Sequence, residues 1–156
     1  MSTQKLQVGR ALLVIPTDTA PVPFPAVSES GTNTSVVASQ LVDSTAQFVS
    51  LGITAGDIVY NTTDGTATTV NSVVSETAVK LSADIFLATT KSYVVYKQGN
   101  NDGCVLYVGT AGNITLETIG GDVVTLIGAS GGQFLPIHVK RVLYSGTSCT
   151  NIIALW

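Results

Sequence analysis

His138 is the only histidine in the 156 residues. A single imidazole excludes a multi-histidine metal site and leaves at most one histidine for proton transfer. It stands in Ile137-His138-Val139-Lys140-Arg141. Alternation with Ile137 and Val139 is the pattern of a strand residue facing solvent or an interface. Serines and aspartates are plentiful, so counting alone does not exclude a Ser/His/Asp arrangement. No serine occupies the Gly-x-Ser-x-Gly elbow that exposes a nucleophile, and Gly128-Ala129-Ser130-Gly131 has the wrong glycine spacing and reads as a loop. Glycoside hydrolysis needs a pair of carboxylates, yet Glu29, Glu76 and Glu117 each fall where a solvated strand or loop residue belongs. Asn100, Asn101 and Asp102 offer oxygen donors for calcium, without the spacing of an EF-hand loop. The glycine-rich stretches contain no phosphate-loop pattern and read as turns. Tyr93, Tyr96, Tyr107 and Tyr144 are able to stack on sugar rings, although core or interface packing is the commoner use of such residues. No catalytic residue, cofactor site or metal site is assigned, and the chain is not expected to be an enzyme.

Cys104 and Cys149 are the only cysteines. They are too few for a disulfide framework and form no Cys-x-x-Cys. Two buried thiols acting as small apolar side chains, or one bridge across the C-terminal region, both fit. Lys and Arg number seven against ten Asp and Glu, for a net charge of −3, and Lys140-Arg141 is the only adjacent basic pair. Neutralising a phosphate backbone takes a cluster of cations, so direct nucleic-acid binding is not expected. Charged residues make up 11% and hydrophobic residues 45%. The average soluble protein carries about 25% charged residues. A surface so poor in charge suits a subunit largely covered by partners, or a secreted β-protein. No segment approaches the ~18 apolar residues of a membrane span, and the apolar run Ala11–Ile15 is too short for a signal core. The expected place of synthesis is a cytoplasm, with no membrane partner.

The elements that position these residues are strands. Period-2 alternation fits better than period 3.6 throughout, and no amphipathic helix of normal length is visible. Three zones are expected, at 1–34, 35–98 and 99–156. The first holds a strand at Arg10–Ile15, then Pro16 and the run Pro21-Val22-Pro23-Phe24-Pro25; four of the five prolines lie here. Proline pre-sets an extended φ and lacks a donor, so this run is read as an extended arm anchored by Phe24, serving as a linker or lying along a neighbouring subunit. The second zone predicts strands at Ser35–Ser39, Ala46–Val49, Asp57–Thr62, Ala67–Val74, Ala78–Ser82 and Ser92–Tyr96, with turns at Thr54–Asp57 and Thr63–Thr66, and a short helix or loop at Asp84–Thr90. The third predicts strands at Cys104–Val108, Asn113–Thr118, Val123–Ile127, Phe134–Leu143 and Thr150–Leu155, with Pro136 at an edge or bulge. Its size is near the limit for a stable core, so it is expected to recruit the Arg10–Ile15 strand, the second zone or a copy of itself. The fold class expected is all-β, two small β-barrel or β-sandwich modules with an extended Pro-rich N-terminal arm.

The third zone also carries a resemblance. Its blocks are Leu106-Tyr107-Val108-Gly109-Thr110, Gly120-Gly121-Asp122-Val123-Val124-Thr125, Gly132-Gln133-Phe134-Leu135-Pro136-Ile137, Arg141-Val142-Leu143, Ser145-Gly146-Thr147 and Ile153-Ala154-Leu155-Trp156. In order and spacing they resemble the C-terminal module of small virion proteins of tailed bacteriophages, specifically the head spike base family of gene transfer agents and related phages. The resemblance covers about the last third of the chain. Val42–Thr45, Gly56–Val59, Asn61–Gly65 and Leu81–Asp84 are similar, less specifically, to a widespread phage structural repertoire. A typical spike base protein passes from a short N-terminal segment straight to the third zone, so the middle zone is a departure, and it leaves capsid decoration and a head–tail position both open.

The resemblance implies an oligomeric accessory protein on the capsid exterior of a virion, made in the host bacterial cytoplasm. The expected role is a capsid decoration or cement protein, or the base of a head fibre. Expected partners are copies of itself, as a trimer or pentamer, the major capsid protein and a fibre protein. A host-surface or carbohydrate-binding fibre module and a neck protein are the alternatives. Residues expected at contacts are Pro21, Pro23, Phe24, Pro25, Leu155 and Trp156. The sequence closes on Ile152-Ile153-Ala154-Leu155-Trp156, with Trp156 its only tryptophan. An end this apolar frays into water unless it is tied down. Deleting Ala154–Trp156 should therefore cut soluble yield or assembly, read by fractionation and native mass; a truncated chain that assembles normally would refute the buried-end reading.

Overall fold

Short runs rich in Val, Ile, Tyr and Thr form strands that pair only antiparallel. The computed structural model describes residues 8–99 and 101–156. Asn100, one of the candidate oxygen donors, lies outside the described residues, as do the first seven residues of the 1–34 zone. The strands in chain order are β1 (Ala11–Leu13), β2 (Val27–Thr32), β3 (Ser35–Val37), β4 (Gln40–Val42), β5 (Ile58–Asn61), β6 (Thr66–Ser75) and β7 (Ala78–Leu81). They continue with β8 (Ser92–Tyr96), β9 (Cys104–Val108), β10 (Gly112–Thr118), β11 (Val123–Ala129), β12 (Gln133–Val142) and β13 (Ile153–Leu155). One sheet has six strands in the order β1-β13-β9-β12-β10-β11, the other seven in the order β2-β8-β5-β6-β7-β4-β3. The chain is all-β with two antiparallel sheets. Neither sheet closes into a barrel, so the barrel alternative is corrected to open sheets. Among the described residues no helix is long and apolar enough to cross a membrane.

Each sheet has its own core. Leu106, Ile114, Leu116, Val139, Val142 and Ile152 fill that of the six-stranded sheet. Leu41, Phe48, Val59, Val79, Phe86, Tyr93 and Val95 fill the other. A third cluster joins them, in which Ala20, Leu12 and Ile15 meet Ile58, Tyr60, Ala67, Val94 and Tyr96. Strand β5 shows why the joint is strong. All four of its residues are buried; Val59 faces its own core while Ile58 and Tyr60 face the joint. A strand covered on both faces reads as a continuous apolar run. Burial also pushes the Tyr60 phenol above its ordinary pKa, so it stays protonated.

The small C-terminal zone does recruit the first strand. Ala11, Leu12 and Leu13 pair with Leu155, Ala154 and Ile153. Val14 and Val22 then enter the same core. Beyond β1 the segment runs along the end of β12, where Thr17 N–H donates to the Val142 carbonyl at 3.0 Å and Val22 N–H to that of Lys140 at 2.8 Å. The 1–34 zone is thus divided: its first part lies on the six-stranded sheet, and its last part, β2, pairs with β8 in the other.

Local chemistry explains the remaining departures. Ala46–Val49, expected as a strand, is a turn. The Asp43 carboxylate accepts from the Thr45 N–H at 2.9 Å and from its hydroxyl at 2.7 Å, and Leu51 N–H donates to the Gln47 carbonyl at 2.9 Å. Those local bonds bend the chain while Phe48 still reaches the core. Asp84–Thr90 is an irregular loop. Asn61 and Asn33 organise it by donating to the Ile85 and Ala88 carbonyls at 2.8 and 2.9 Å. Both expected turns form: Gly65 donates to the Asn61 carbonyl at 3.0 Å with φ +67°, and Asp57 N–H to that of Thr54 at 3.1 Å. The β9–β12 register shifts between Leu135 and Val139, the interval that holds Pro136. Cys104 and Cys149 are free and buried. Burial pushes the Cys104 thiol up to about 12, which keeps it an inert apolar group.

One buried polar pair anchors the seven-stranded sheet. Tyr93 Oη donates to Asp43 Oδ2 at 2.8 Å, with both residues buried. Gly31 lies over them, and a Cβ there would meet Asp43 Oδ2 at 2.6 Å. Burial raises the Asp43 carboxyl, but hydrogen bonds from Thr45 and Tyr93 outweigh it and hold the net value below 3.8. A carboxyl lowered in the folded state adds stability above its unfolded pKa and loses it as pH falls through the folded value. Tyr93→Phe should cost about 1.5–3 kcal/mol at pH 7, the usual worth of a hydrogen bond to a charged group. That difference should shrink below about pH 4, measured by urea unfolding at pH 7 and pH 3; an equal cost at both would remove Asp43 from the account.

Candidate functional site

The six residues expected at contacts fall largely together, where the two ends of the chain meet. Strand β13 delivers Leu155 between Ala11 and Val105, and Trp156 follows it. The Trp156 carbonyl accepts from the Gly9 and Arg10 N–H groups at 2.6 and 3.1 Å, and its own N–H donates to the Arg10 carbonyl at 3.0 Å. Phe24 meets the indole edge to face, with centroids 5.5 Å apart. The Arg10 guanidinium lies 5.4 Å from the Phe24 ring centroid, in cation–π range, and donates to the Pro25 carbonyl. Pro23 is buried. Pro21 stands apart from the aromatic pair and lines a cavity of about 340 Å³ with Gln98, Asn101 and Lys140.

Two residues completing this cluster carry no contact signal in the sequence. Asn101 Oδ1 accepts from the indole N–H at 3.1 Å, and its Nδ2 donates to the Val22 carbonyl at 2.8 Å. It therefore satisfies the one polar atom of the tryptophan while tying it to the first zone. Its setting, Gly99-Asn-Asn-Asp-Gly, reads as a turn with oxygen donors and gives no sign of a tryptophan partner. Arg10, the other, reads only as the start of a strand.

The residues weighed for chemistry are dispersed. His138 is exposed on β12. Glu76 holds a turn by accepting from Val49 and Ser50 N–H at 3.1 Å and from the Ser50 hydroxyl at 2.6 Å. Glu117 pairs with Lys140 and Arg141, each at 3.3 Å, and Glu29 accepts from Ser30 N–H beside it. Among the described residues no three His, Cys, Asp or Glu side chains gather as metal ligands.

Of the four tyrosines weighed for stacking on sugars, Tyr93 and Tyr96 are core residues, and Tyr107 packs on Phe134 with centroids 5.2 Å apart. Tyr144 is 73% exposed and so is not a core residue. It walls two neighbouring cavities of about 360 and 280 Å³ that share Pro16 and Gly65 as well. Thr147, Ser148, Thr150 and Asn151 line the larger one, and Asp18 lines the smaller. The Ser145 hydroxyl and N–H donate to Asp18 and hold its carboxyl below the ordinary range. Comparison with known proteins finds no matching family model, no matching curated protein and no matching solved structure.

The terminal cluster yields a direct test, because Trp156 is a single fluorescent reporter inside it. Phe24→Ala removes the ring from the indole and from Arg10. It should red-shift the Trp156 emission and cost about 1–3 kcal/mol in chemical unfolding, less than a fully buried aromatic because the site is half-open. An unshifted spectrum would show that Phe24 does not shield the indole.

Proposed function

We propose that this chain is a structural protein of a tailed-phage virion, working by surface contact on the outside of the capsid. In this reading it decorates and cements the shell or forms the base of a head fibre. The observation that carries the reading is uncovered apolar surface on a chain with few charges. Leu87, Ile127, Phe134 and Tyr144 are all more than half exposed, while charged residues are only 11%. Covering such side chains with a partner removes apolar surface from water and so favours association. The resemblance of the Leu106–Trp156 blocks to head spike base proteins supplies the virion context. The partners in this reading are further copies of the chain, the major capsid protein and a fibre protein. Individual contacts are modest, at roughly 25 cal/mol per Å² of apolar burial; symmetry multiplies them.

A second reading, a carbohydrate-binding fibre module, is favoured by one feature. Tyr144 presents an open ring between two cavities edged with hydroxyl and amide groups, the combination that receives a neutral sugar. Two measurements separate the readings. Purified, salt-washed particles from the encoding host should contain the chain as density outside the shell in image reconstruction; its absence from particles would overturn the first. A glycan screen should be blank, with Tyr144→Ala behaving as wild type. A glycan hit that Tyr144→Ala abolishes would establish the second instead.

A further inference from the structure

We propose that strand β11 is a self-association edge, pairing antiparallel with β11 of a second copy about a two-fold axis through Thr125. This deepens the contact-protein reading and rests on it.

The argument begins with sheet order. β11 pairs with β10 on one side and ends the six-stranded sheet on the other, so among the described residues no strand lies beside its outer backbone groups. Natural edge strands are guarded by shortness, charge or proline. The other free edges show such guards, since β1 and β3 have three residues each and β2 carries Glu29. β11 reads Val-Val-Thr-Leu-Ile-Gly-Ala, seven residues without a charge or a proline. Both of its faces are also incompletely covered. Leu126 packs against the core of its sheet and is only partly buried, and its neighbour on that face, Val124, is exposed. The other face presents Val123, 58% exposed, and Ile127, 76% exposed. The core thus runs out at this edge, and a strand laid alongside would continue it.

The occupant follows from register. Gly128 has a positive φ of 68° and the β10–β11 register shifts between Gly112 and Ile114, opposite Leu126–Ala129. The regular part available for pairing is therefore Val123–Ile127. Placed antiparallel on a copy of itself about Thr125, it sets Val124 against Leu126 and Val123 against Ile127. Each pair keeps its own face, core side with core side and outer with outer, as the period of two requires. The only nearby charge on the segment, Asp122, then lies at opposite ends of the ribbon in the two copies, so no like charges meet. A strand apolar on both faces needs an equally apolar partner edge, and this chain carries one. Such a contact is isologous and closes with two copies. It is separate from any three-fold or five-fold ring. Five residues per copy make a ribbon well short of the ~1,600 Å² of a standard interface, so the free dimer is weak and gains strength when many copies are held on one surface.

The test is sedimentation equilibrium of the full chain from about 1 µM to 1 mM, with variants confined to exposed positions so that folding is preserved. Wild type should shift from monomer towards dimer across this range. Ile127→Lys and Val123→Asp should each weaken association at least tenfold. The double variant should restore it, because the carboxylate introduced on one copy then faces the ammonium introduced on the other. Thr125→Cys should form a disulfide-linked dimer under mild oxidation, since Cα atoms directly opposite in an antiparallel pair are about 4.5–5.5 Å apart. Association unaffected by the single variants, or not restored in the double, would overturn the β11 assignment while leaving a contact role in place. A chain that stays monomeric to 1 mM and is absent from particles would overturn both.

Discussion

The whole arrangement depends on the antiparallel pairing of β1 with β13. Three residues from the start of the described chain and three from its end complete one edge of the six-stranded sheet. The consequence reaches further than that edge. Once β1 is fixed, the segment after it is committed to run between the two sheets, where it contributes Val14 and Val22 to one core and Ala20 to the joint. Two small sheets become one body because the same segment is needed by both. The polar bonds along it, from Thr17 and Val22 to the end of β12, hold it in place while its apolar side chains do most of the joining.

Apart from the buried Asp57, which pairs with Lys97 at 3.0 Å, charge plays a correspondingly small part. The ion pairs of Lys140 and Arg141 with Glu117 lie near the surface, where such pairs contribute little. The buried polar groups are instead short-range organisers. Asp43 shapes a turn and anchors Tyr93. Asn61 and Asn33 hold an irregular loop by its carbonyls. These three have their partners, which is what allows residues of this kind to sit inside a β-protein at all.

Strands with clean alternation were legible in the sequence. Ser92–Tyr96 and Cys104–Val108 run as the apolar pattern predicts, because each has a core face that only one register satisfies. What escaped was structure set by partners instead of pattern. β2 is Val-Ser-Glu-Ser-Gly-Thr, too polar to announce a strand, and forms because β8 offers an edge. The β3–β4 hairpin turns through Ala38 and Ser39 with no glycine or asparagine to mark it, Ser39 taking a positive φ. At Ala46–Val49, Ala46 and Phe48 are core members while Val49 is exposed, because Asp43 upstream bends the segment into a turn. The candidate site divides in the same way. Phe24 and Trp156 stood out as apolar groups needing cover, while their pairing across the length of the chain, and the parts played by Arg10 and Asn101, depend on tertiary contacts that local spacing does not encode.

The closing of β1 onto β13 also sets a schedule. β1 leaves the ribosome ahead of a partner made about 140 residues later. At the usual 5–20 residues per second that delay is on the order of ten seconds. The seven-stranded sheet lies almost wholly between the two and is able to form during the wait, apart from the joint. Leu12 and Val14 meanwhile stay uncovered, as does the joint face of β5 on the seven-stranded sheet. Crowded synthesis of many copies therefore favours exchange of β1 between neighbours, a route by which subunits become interlocked.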